Sequence, residues 1–121
     1  MNNRRVTLTS NEKIGLISNL STMLSAGIPI LEAVDSSLVD TKGNAKKILE
    51  ALKKDLIQGK HVYASFAAFP AAFDSITVSL LKAAEQAGTL ETTLVDLREN
   101  IQKEAEFVDK IRLALVYPLL I

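Results

Sequence analysis

Apolar residues recur at intervals of three and four along nearly the whole chain, and this spacing is the feature that most constrains its fold. Residues at such intervals share one face of an α-helix, whereas a half-buried strand needs strict alternation of apolar and polar residues. Aromatic residues make up only 5% of the chain, and its β-branched residues rarely alternate with polar ones. The pattern therefore predicts an all-α protein.

Glycine, proline and capping residues divide this pattern into six predicted helices. The first begins with the capping box Thr9–Glu12 and runs to about Ser25. The second follows the Gly27–Pro29 turn and ends near Val39, since Gly favours a helix end and Pro a helix start. The other four helices are predicted to span residues 45–57, 61–68, 75–87 and 90–121.

The fifth predicted helix carries apolar residues nearly all round its circumference, which is typical of an element buried by its neighbours. These residues are Ile76, Val78, Leu80, Leu81, Ala83 and Ala84. We therefore predict that this helix lies at the centre of a six-helix bundle, with Leu80 and Leu81 both buried.

The last helix combines a narrow apolar stripe, Leu90 to Leu115, with charged side chains on its other faces. After Arg112 the sequence carries no charge through Ile121. A spanning helix needs about 20 apolar residues, so we expect the gene to continue this segment. The chain is thus predicted to contain a bundle domain, 1–112, and the start of a truncated transmembrane helix, 113–121. The stripe is longer than a small bundle can cover, which suggests a possible homodimer.

Composition and motifs argue against an enzyme, a metalloprotein and a nucleic-acid-binding protein. Fourteen Lys and Arg residues balance fourteen Asp and Glu residues, so the basic excess of a nucleic-acid binder is missing. The chain has no Cys, His61 is its single His, and no nucleotide-binding, esterase or metalloprotease motif occurs. We expect no catalytic residue, no metal and no cofactor, with His61 at the surface.

Two turns carry the candidate functional residues. Gly27 and Pro29 form the first turn, and Glu85 and Gly88 lie at the end of the fifth helix. A carboxylate is unfavourable there because it faces the negative end of the helix dipole. Two explanations of Glu85 are open. Its carboxylate accepts hydrogen bonds from amides around Gly88 or from the start of the sixth helix, or it contacts a partner or a cation.

Several motifs occur in an order and spacing that cover nearly the whole chain. They are the Ala-Gly-Ile-Pro turn in Met23–Ala33, the Ser-Phe, Phe-Pro and Phe pattern in Gly59–Phe73, the Glu-Gln-Ala-Gly-Thr-Leu run from Glu85, and Lys110–Pro118. Together they resemble the cytoplasmic domain of the type II secretion F family, the inner-membrane platform proteins of type II secretion and type IV pilus machines. The chain departs from the family's Gly-Glu-x-Ser-Gly pattern, with Ala84 and Ala87 at its two small positions.

The resemblance implies a six-helix bundle that faces the cytoplasm and a long C-terminal helix that leads into the inner membrane. It also implies partners: a secretion or pilus ATPase, other inner-membrane platform proteins and pilin-like subunits. The implied function is to couple ATP hydrolysis by that ATPase to filament assembly and protein secretion, without an active site of its own. The alternative is a helical membrane-associated regulatory or adaptor domain unrelated to filament assembly.

Overall fold

The computed structural model of the chain describes residues 3–120, with side chains for residues 3–116. This part contains a short 3-10 turn, Asn3–Arg5, and six α-helices. The helices are α1 (Ser10–Ser25), α2 (Ile30–Asp40), α3 (Gly43–Ile57), α4 (Val62–Ala67), α5 (Ser75–Ala87) and α6 (Leu90–Leu120). The all-α prediction is confirmed, and the helix boundaries lie close to the predicted ones.

Local side-chain hydrogen bonds explain where two of the helices begin. Before α1, Glu12 N–H donates to Thr9 Oγ1 over 3.1 Å and Thr9 N–H donates to Glu12 Oε1 over 3.0 Å, so the predicted capping box forms. Before α5, Thr77 N–H donates to Asp74 Oδ1 over 2.8 Å. Hydrogen bonding by Thr77 stabilises the ionised carboxylate and lowers the pKa of Asp74 from its ordinary value.

The first and last helices run antiparallel along the bundle. One groove is lined by Leu24, near the end of α1, and by Leu90 at the start of α6. A second groove is lined by the start of α1 and by Arg112 in the second half of α6. The start of α3 also lies beside the start of α1, since Asn44 Nδ2 donates a hydrogen bond to the Thr7 carbonyl over 2.9 Å. The connections before α2, α4 and α6 therefore lie at one end of the bundle, and those before α1 and α3 lie at the other.

We call these two ends the turn end and the exit end. The turn end consists of the connections Gly27–Pro29, Gly59–His61 and Gly88–Thr89, which precede α2, α4 and α6. The exit end consists of Thr7–Asn11 and Val39–Lys47, and it is the end at which α6 leaves the bundle. All residues from 106 to 116 of α6 are exposed, although Val108, Asp109 and Arg112 still line a groove with the start of α1.

The core combines the apolar faces of the helices with the aromatic residues of α4 and the connection that follows it. Phe66 and Phe73 stack with their ring centroids 4.3 Å apart, and Phe69 between them in sequence is 1% exposed. The Ser-Phe, Phe-Pro and Phe pattern thus supplies the aromatic part of the core. The fully buried leucine and isoleucine side chains are Ile17, Leu20, Ile48, Leu49, Leu52, Leu81 and Leu94.

The prediction that α5 occupies the centre of the bundle is wrong. Leu81 and Ala84 are buried, but Leu80 is 48% exposed and Ile76 is 71% exposed. Among the described helices α5 packs against α4 and α6, whereas α1 contacts α2, α3 and α6 and takes the central position. Apolar residues all round a helix show only that one neighbouring helix cannot cover them all. They do not show which other helices pack against it.

The apolar stripe of α6 is covered in its first half and exposed in its second. Leu94 and Leu97 are buried against the core, whereas Val108 is 45% and Leu115 is 65% exposed. No described helix combines the length and the apolar character required to cross a bilayer. The side chains of the predicted membrane segment after Val116, including Tyr117 and Pro118, lie outside the described part of the chain.

Candidate functional site

The connections of the turn end are held by backbone hydrogen bonds that terminate the preceding helix. At the end of α5, Gly88 N–H donates to the Glu85 carbonyl over 3.3 Å and Thr89 N–H donates to the Ala84 carbonyl over 2.8 Å. The ends of α1 and α3 repeat this pattern. Gly88 and Gly27 have φ of 74° and 87°, in the left-handed region that favours glycine. Both residues are therefore required by the geometry of their turns.

Pro29 is the N-cap residue of α2 rather than its first helical residue. Its backbone is extended, with φ −59° and ψ 149°, and its carbonyl accepts a hydrogen bond from Ala33 N–H over 2.9 Å. Proline has no N–H to donate, and none is needed at this position. Pro29 thus fixes the direction in which α2 leaves the first turn.

Glu85 forms the polar contact that joins α5 to α4. Its side chain is 13% exposed. Glu85 Oε2 accepts a hydrogen bond from Val62 N–H over 3.0 Å, and Oε1 accepts one from Tyr63 N–H over 2.6 Å. His61, the N-cap residue of α4, supplies no side-chain hydrogen bond to that helix. Glu85 therefore caps α4 from a neighbouring helix and places negative charge at its positive end.

This arrangement differs from the first of the two explanations, in which the Glu85 carboxylate binds amides around Gly88 or at the start of α6, whereas the second, a contact with a partner or a cation, stays a prediction. The Gly88 and Thr89 amides donate instead to backbone carbonyls of α5. The carboxylate is directed towards α4 because α4 packs beside α5 and has no cap of its own. The sequence did contain a signal that α4 lacks a cap of its own. His61 before α4 is not one of the Ser, Thr, Asp or Asn residues that usually cap helices.

Aromatic and charged side chains surround the capped start of α4. His61 is 67% exposed, consistent with the predicted surface position, and its Nδ1 lies 3.6 Å from Glu85 Oε2. Its ring stacks on Tyr63 with centroids 5.5 Å apart, and Lys82 Nζ lies 5.7 Å from the centre of the Tyr63 ring. Since the carboxylate already accepts two amide hydrogen bonds, this cluster is suited to fixing α4 against α5.

A groove of about 370 Å³ opens beside this cluster at the turn end. Its walls combine apolar and acidic groups: Leu24, Ile30, His61, Glu85, Gly88, Leu90 and Glu91. Glu91 is exposed and has no hydrogen-bond or ion-pair partner among the described residues. The structure thus brings all four predicted residues to one end of the bundle. Glu85 and Gly88 line the groove, and Gly27 and Pro29 form the adjoining turn.

Replacing Gly88 with Ala is expected to lower the free energy of unfolding by about 1–2 kcal/mol. An added Cβ would meet no atom within 4 Å, so the cost is the backbone strain of a left-handed residue with a side chain. Gly15→Ala is the matched control, because Gly15 lies inside α1 with equally open space around it. That variant should gain about 0.5–1 kcal/mol. Urea unfolding measures the free energy of unfolding of both variants. An unchanged value for the Gly88→Ala protein would contradict the strain argument.

These observations define a class of protein: an all-helical bundle domain whose last helix extends beyond the core. Its main polar contact between helices is the capping of α4 by Glu85 of α5. Comparison with known families places it more closely. The model of the family described as Type II secretion system (T2SS), protein F matches residues 16–121. The chain therefore belongs to the type II secretion system protein F family, and the resemblance found in its motifs is confirmed.

Similar curated proteins come from both secretion and pilus systems. The chain is 32% identical over 110 residues to the Type 4 fimbrial assembly protein PilC of Pseudomonas putida, covering 88% of the chain and 27% of the relative. It is 30% identical over 103 residues to the Type IV pilus assembly protein PilC of Myxococcus xanthus, covering 84% and 24%. It is 29% identical over 103 residues to the Type II secretion system protein F of Pseudomonas aeruginosa, covering 84% and 25%. The chain spans about a quarter of the length of these relatives.

Proposed function

We propose that the chain is a cytoplasmic bundle of an inner-membrane platform protein in a type II secretion or type IV pilus machine. The observation that carries this proposal is the course of α6. This helix pairs with α1 inside the bundle and then leaves it at the exit end, exposed from residue 106 to residue 116. Its sequence carries no charge after Arg112. A helix of this kind is suited to continue into a bilayer.

This course of α6 gives the bundle an orientation. Residues 113–121 would begin a membrane-spanning helix, and residues 1–112 would form the domain outside the membrane. Lys110 and Arg112 directly before the apolar part favour the cytoplasmic side, where loops near spanning helices are rich in Lys and Arg. The exit end then faces the inner membrane, and the groove at the turn end faces the cytoplasm.

The proposed role is to transmit movement between partners. A secretion or pilus ATPase would contact the turn end, and α6 would carry the resulting movement to the membrane, where pilin-like subunits and other platform proteins assemble.

Self-association through the exposed half of the α6 stripe belongs to the same proposal, and sedimentation of the chain measures it. The bundle would need no catalytic residue or cofactor of its own for this role.

Co-purification of the ATPase with the full-length protein, extracted from membranes, tests the proposal. Glu91→Lys reverses the charge of an exposed groove residue that makes no described hydrogen bond. If the ATPase binds this groove through a surface of complementary charge, the Glu91→Lys variant should retain about tenfold less ATPase. Glu106→Lys is the control, since it makes the same charge change at an exposed position about 22 Å further along α6.

The outcomes separate the proposal from its alternative. Retention of the ATPase by the Glu106→Lys protein and its loss from the Glu91→Lys protein support a contact at the turn end. Equal retention by both would place the contact elsewhere on the bundle and contradict the assigned surface. A membrane-embedded wild-type protein that retains no ATPase would favour the adaptor function instead.

A further inference from the structure

We propose that the exit end of the bundle is a docking surface for anionic phospholipid headgroups. The surface consists of Val39, at the end of α2, and of Lys42, Lys46 and Lys47, before and within the start of α3. The inference rests on the proposed function, which directs this end towards the bilayer. It goes further in assigning the contact to a particular lipid chemistry and to residues far in sequence from the membrane segment.

Two contacts place these lysines at the end from which α6 leaves. The hydrogen bond from Asn44 Nδ2 to the Thr7 carbonyl holds the start of α3 beside the segment that leads into α1. The start of α1 in turn lines a groove together with Val108 and Arg112 of α6. Lys42, Lys46 and Lys47 flank Asn44 in sequence. They therefore share one end of the bundle with the emerging part of α6.

The charge at the exit end is not neutralised by the protein itself. Lys42, Lys46 and Lys47 are exposed and have no ion-pair partner among the described residues. Further along the chain, Lys53 Nζ lies 2.9 Å from Asp35 Oδ1 and Lys60 Nζ lies 3.7 Å from Asp55 Oδ1. The lysines left unpaired at the exit end can therefore attract an external anion.

Residues 39–47 of the exit end and residues 106–116, the emerging part of α6, carry a basic excess in a chain with no net charge. Residues 39–47 and 106–116 contain five Lys and Arg residues against three Asp and Glu residues. The cations are Lys42, Lys46, Lys47, Lys110 and Arg112. Juxtamembrane cations of this kind are attracted to the anionic surface of the leaflet, and each contributes a similar amount to the free energy of binding.

Exposed apolar side chains lie among these cations, which favours a bilayer over an acidic protein surface as the occupant. Val39 is 81% exposed, and Leu113 and Leu115, just after Arg112, are 58% and 65% exposed. A lipid interface accepts both groups at once, since apolar side chains enter the acyl boundary while lysines remain at the phosphates. The membrane that receives the end of α6 would then be the one that Lys42, Lys46 and Lys47 touch.

Vesicle flotation of the 121-residue chain tests this inference. One vesicle preparation is phosphatidylcholine alone, and the other is an equal mixture of phosphatidylcholine and phosphatidylglycerol. The wild-type chain should bind the anionic vesicles at least tenfold more tightly, and the preference should shrink as salt screens the charges. The triple variant Lys42→Gln, Lys46→Gln, Lys47→Gln should bind the anionic vesicles on the order of 100-fold more weakly, at about fivefold per lysine.

The matched control removes two lysines from the second half of α3 and one from the turn end that follows: Lys53→Gln, Lys54→Gln and Lys60→Gln. Both triple variants have the same net charge, and circular dichroism checks that both remain helical. The control should bind anionic vesicles within about twofold of the wild type, because its lysines lie away from the bilayer. Equal weakening of both variants would reduce the effect to net charge and overturn the assigned surface.

Equal binding of the wild type to both vesicle types would also overturn the inference, since insertion of the apolar end of α6 alone gives that result. Neither of these outcomes depends on the ATPase. If lipid binding does not depend on the three lysines but the ATPase still co-purifies, the proposed function stands and the lipid surface is overturned. If lipid binding depends on the lysines but the wild-type protein retains no ATPase, the lipid surface stands and the proposed function is overturned.

Discussion

Replacing Leu81 with Ala is expected to lower the free energy of unfolding by about 2–5 kcal/mol. Leu81 is 0% exposed and belongs to the inner face of α5, which packs against α4 and α6. Truncation removes apolar contacts and leaves a cavity that the surrounding side chains fill only in part. Urea unfolding followed by circular dichroism measures the loss. It would be a large fraction of the total stability of a domain this size.

Leu80→Ala is the matched control, one residue away on the same helix. Leu80 is 48% exposed, so truncation removes less buried area and opens no closed cavity. Its expected cost is below about 1 kcal/mol, partly offset by the higher helix propensity of Ala. Equal losses at the two positions would mean that α5 is buried on both faces and would contradict the peripheral position found here.

Replacing Glu85 with Ala is expected to lower the free energy of unfolding by about 2–4 kcal/mol. The substitution removes the carboxylate that accepts hydrogen bonds from Val62 N–H and Tyr63 N–H, and no side chain of α4 replaces it. Two amides at the start of α4 then lose their acceptor, and the helix loses a favourable charge at its positive end. Hydrogen exchange at Val62 and Tyr63 should accelerate more than exchange in α1.

Two further variants separate this capping role from a general effect of charge. Glu85→Gln keeps the size of the side chain and one acceptor oxygen, so its cost should fall to about half that of Glu85→Ala. Glu91→Gln removes a charge from the same groove at an exposed position without a described partner, and it should change stability by less than about 0.5 kcal/mol. Similar losses in the Glu85→Gln and Glu91→Gln proteins would show that charge rather than capping explains the effect.

Helix positions could be predicted from the sequence because each helix end depends on residues close to it along the chain. The capping box of Thr9 and Glu12 joins residues three apart, and the turn at Gly88 needs only a left-handed residue. The motif pattern across the chain also indicated the correct family, which the family comparison then confirmed. These features need no knowledge of which helices are neighbours.

The candidate site was predicted only in part. The two turns with Gly27, Pro29, Glu85 and Gly88 were singled out, but the sequence did not show that both turns meet at one end of the bundle. Of the two explanations open for Glu85, the one that pairs its carboxylate with amides around Gly88 or at the start of α6 is wrong. The contact with Val62 spans 23 positions, and nothing in a local pattern specifies such a partner.

By itself the sequence determined that the chain is helical, where its helices begin and end, and which family it resembles. These properties follow from local backbone preferences, caps and apolar spacing, which act within a few residues. Only the tertiary structure decided that α1 rather than α5 is central, that Glu85 caps α4, and that Asn44 brings the neighbouring lysines 42, 46 and 47 to the exit end. These features depend on which helices pack together. An apolar face or an unpaired carboxylate can be satisfied by many partners, and the packing of the whole chain selects one.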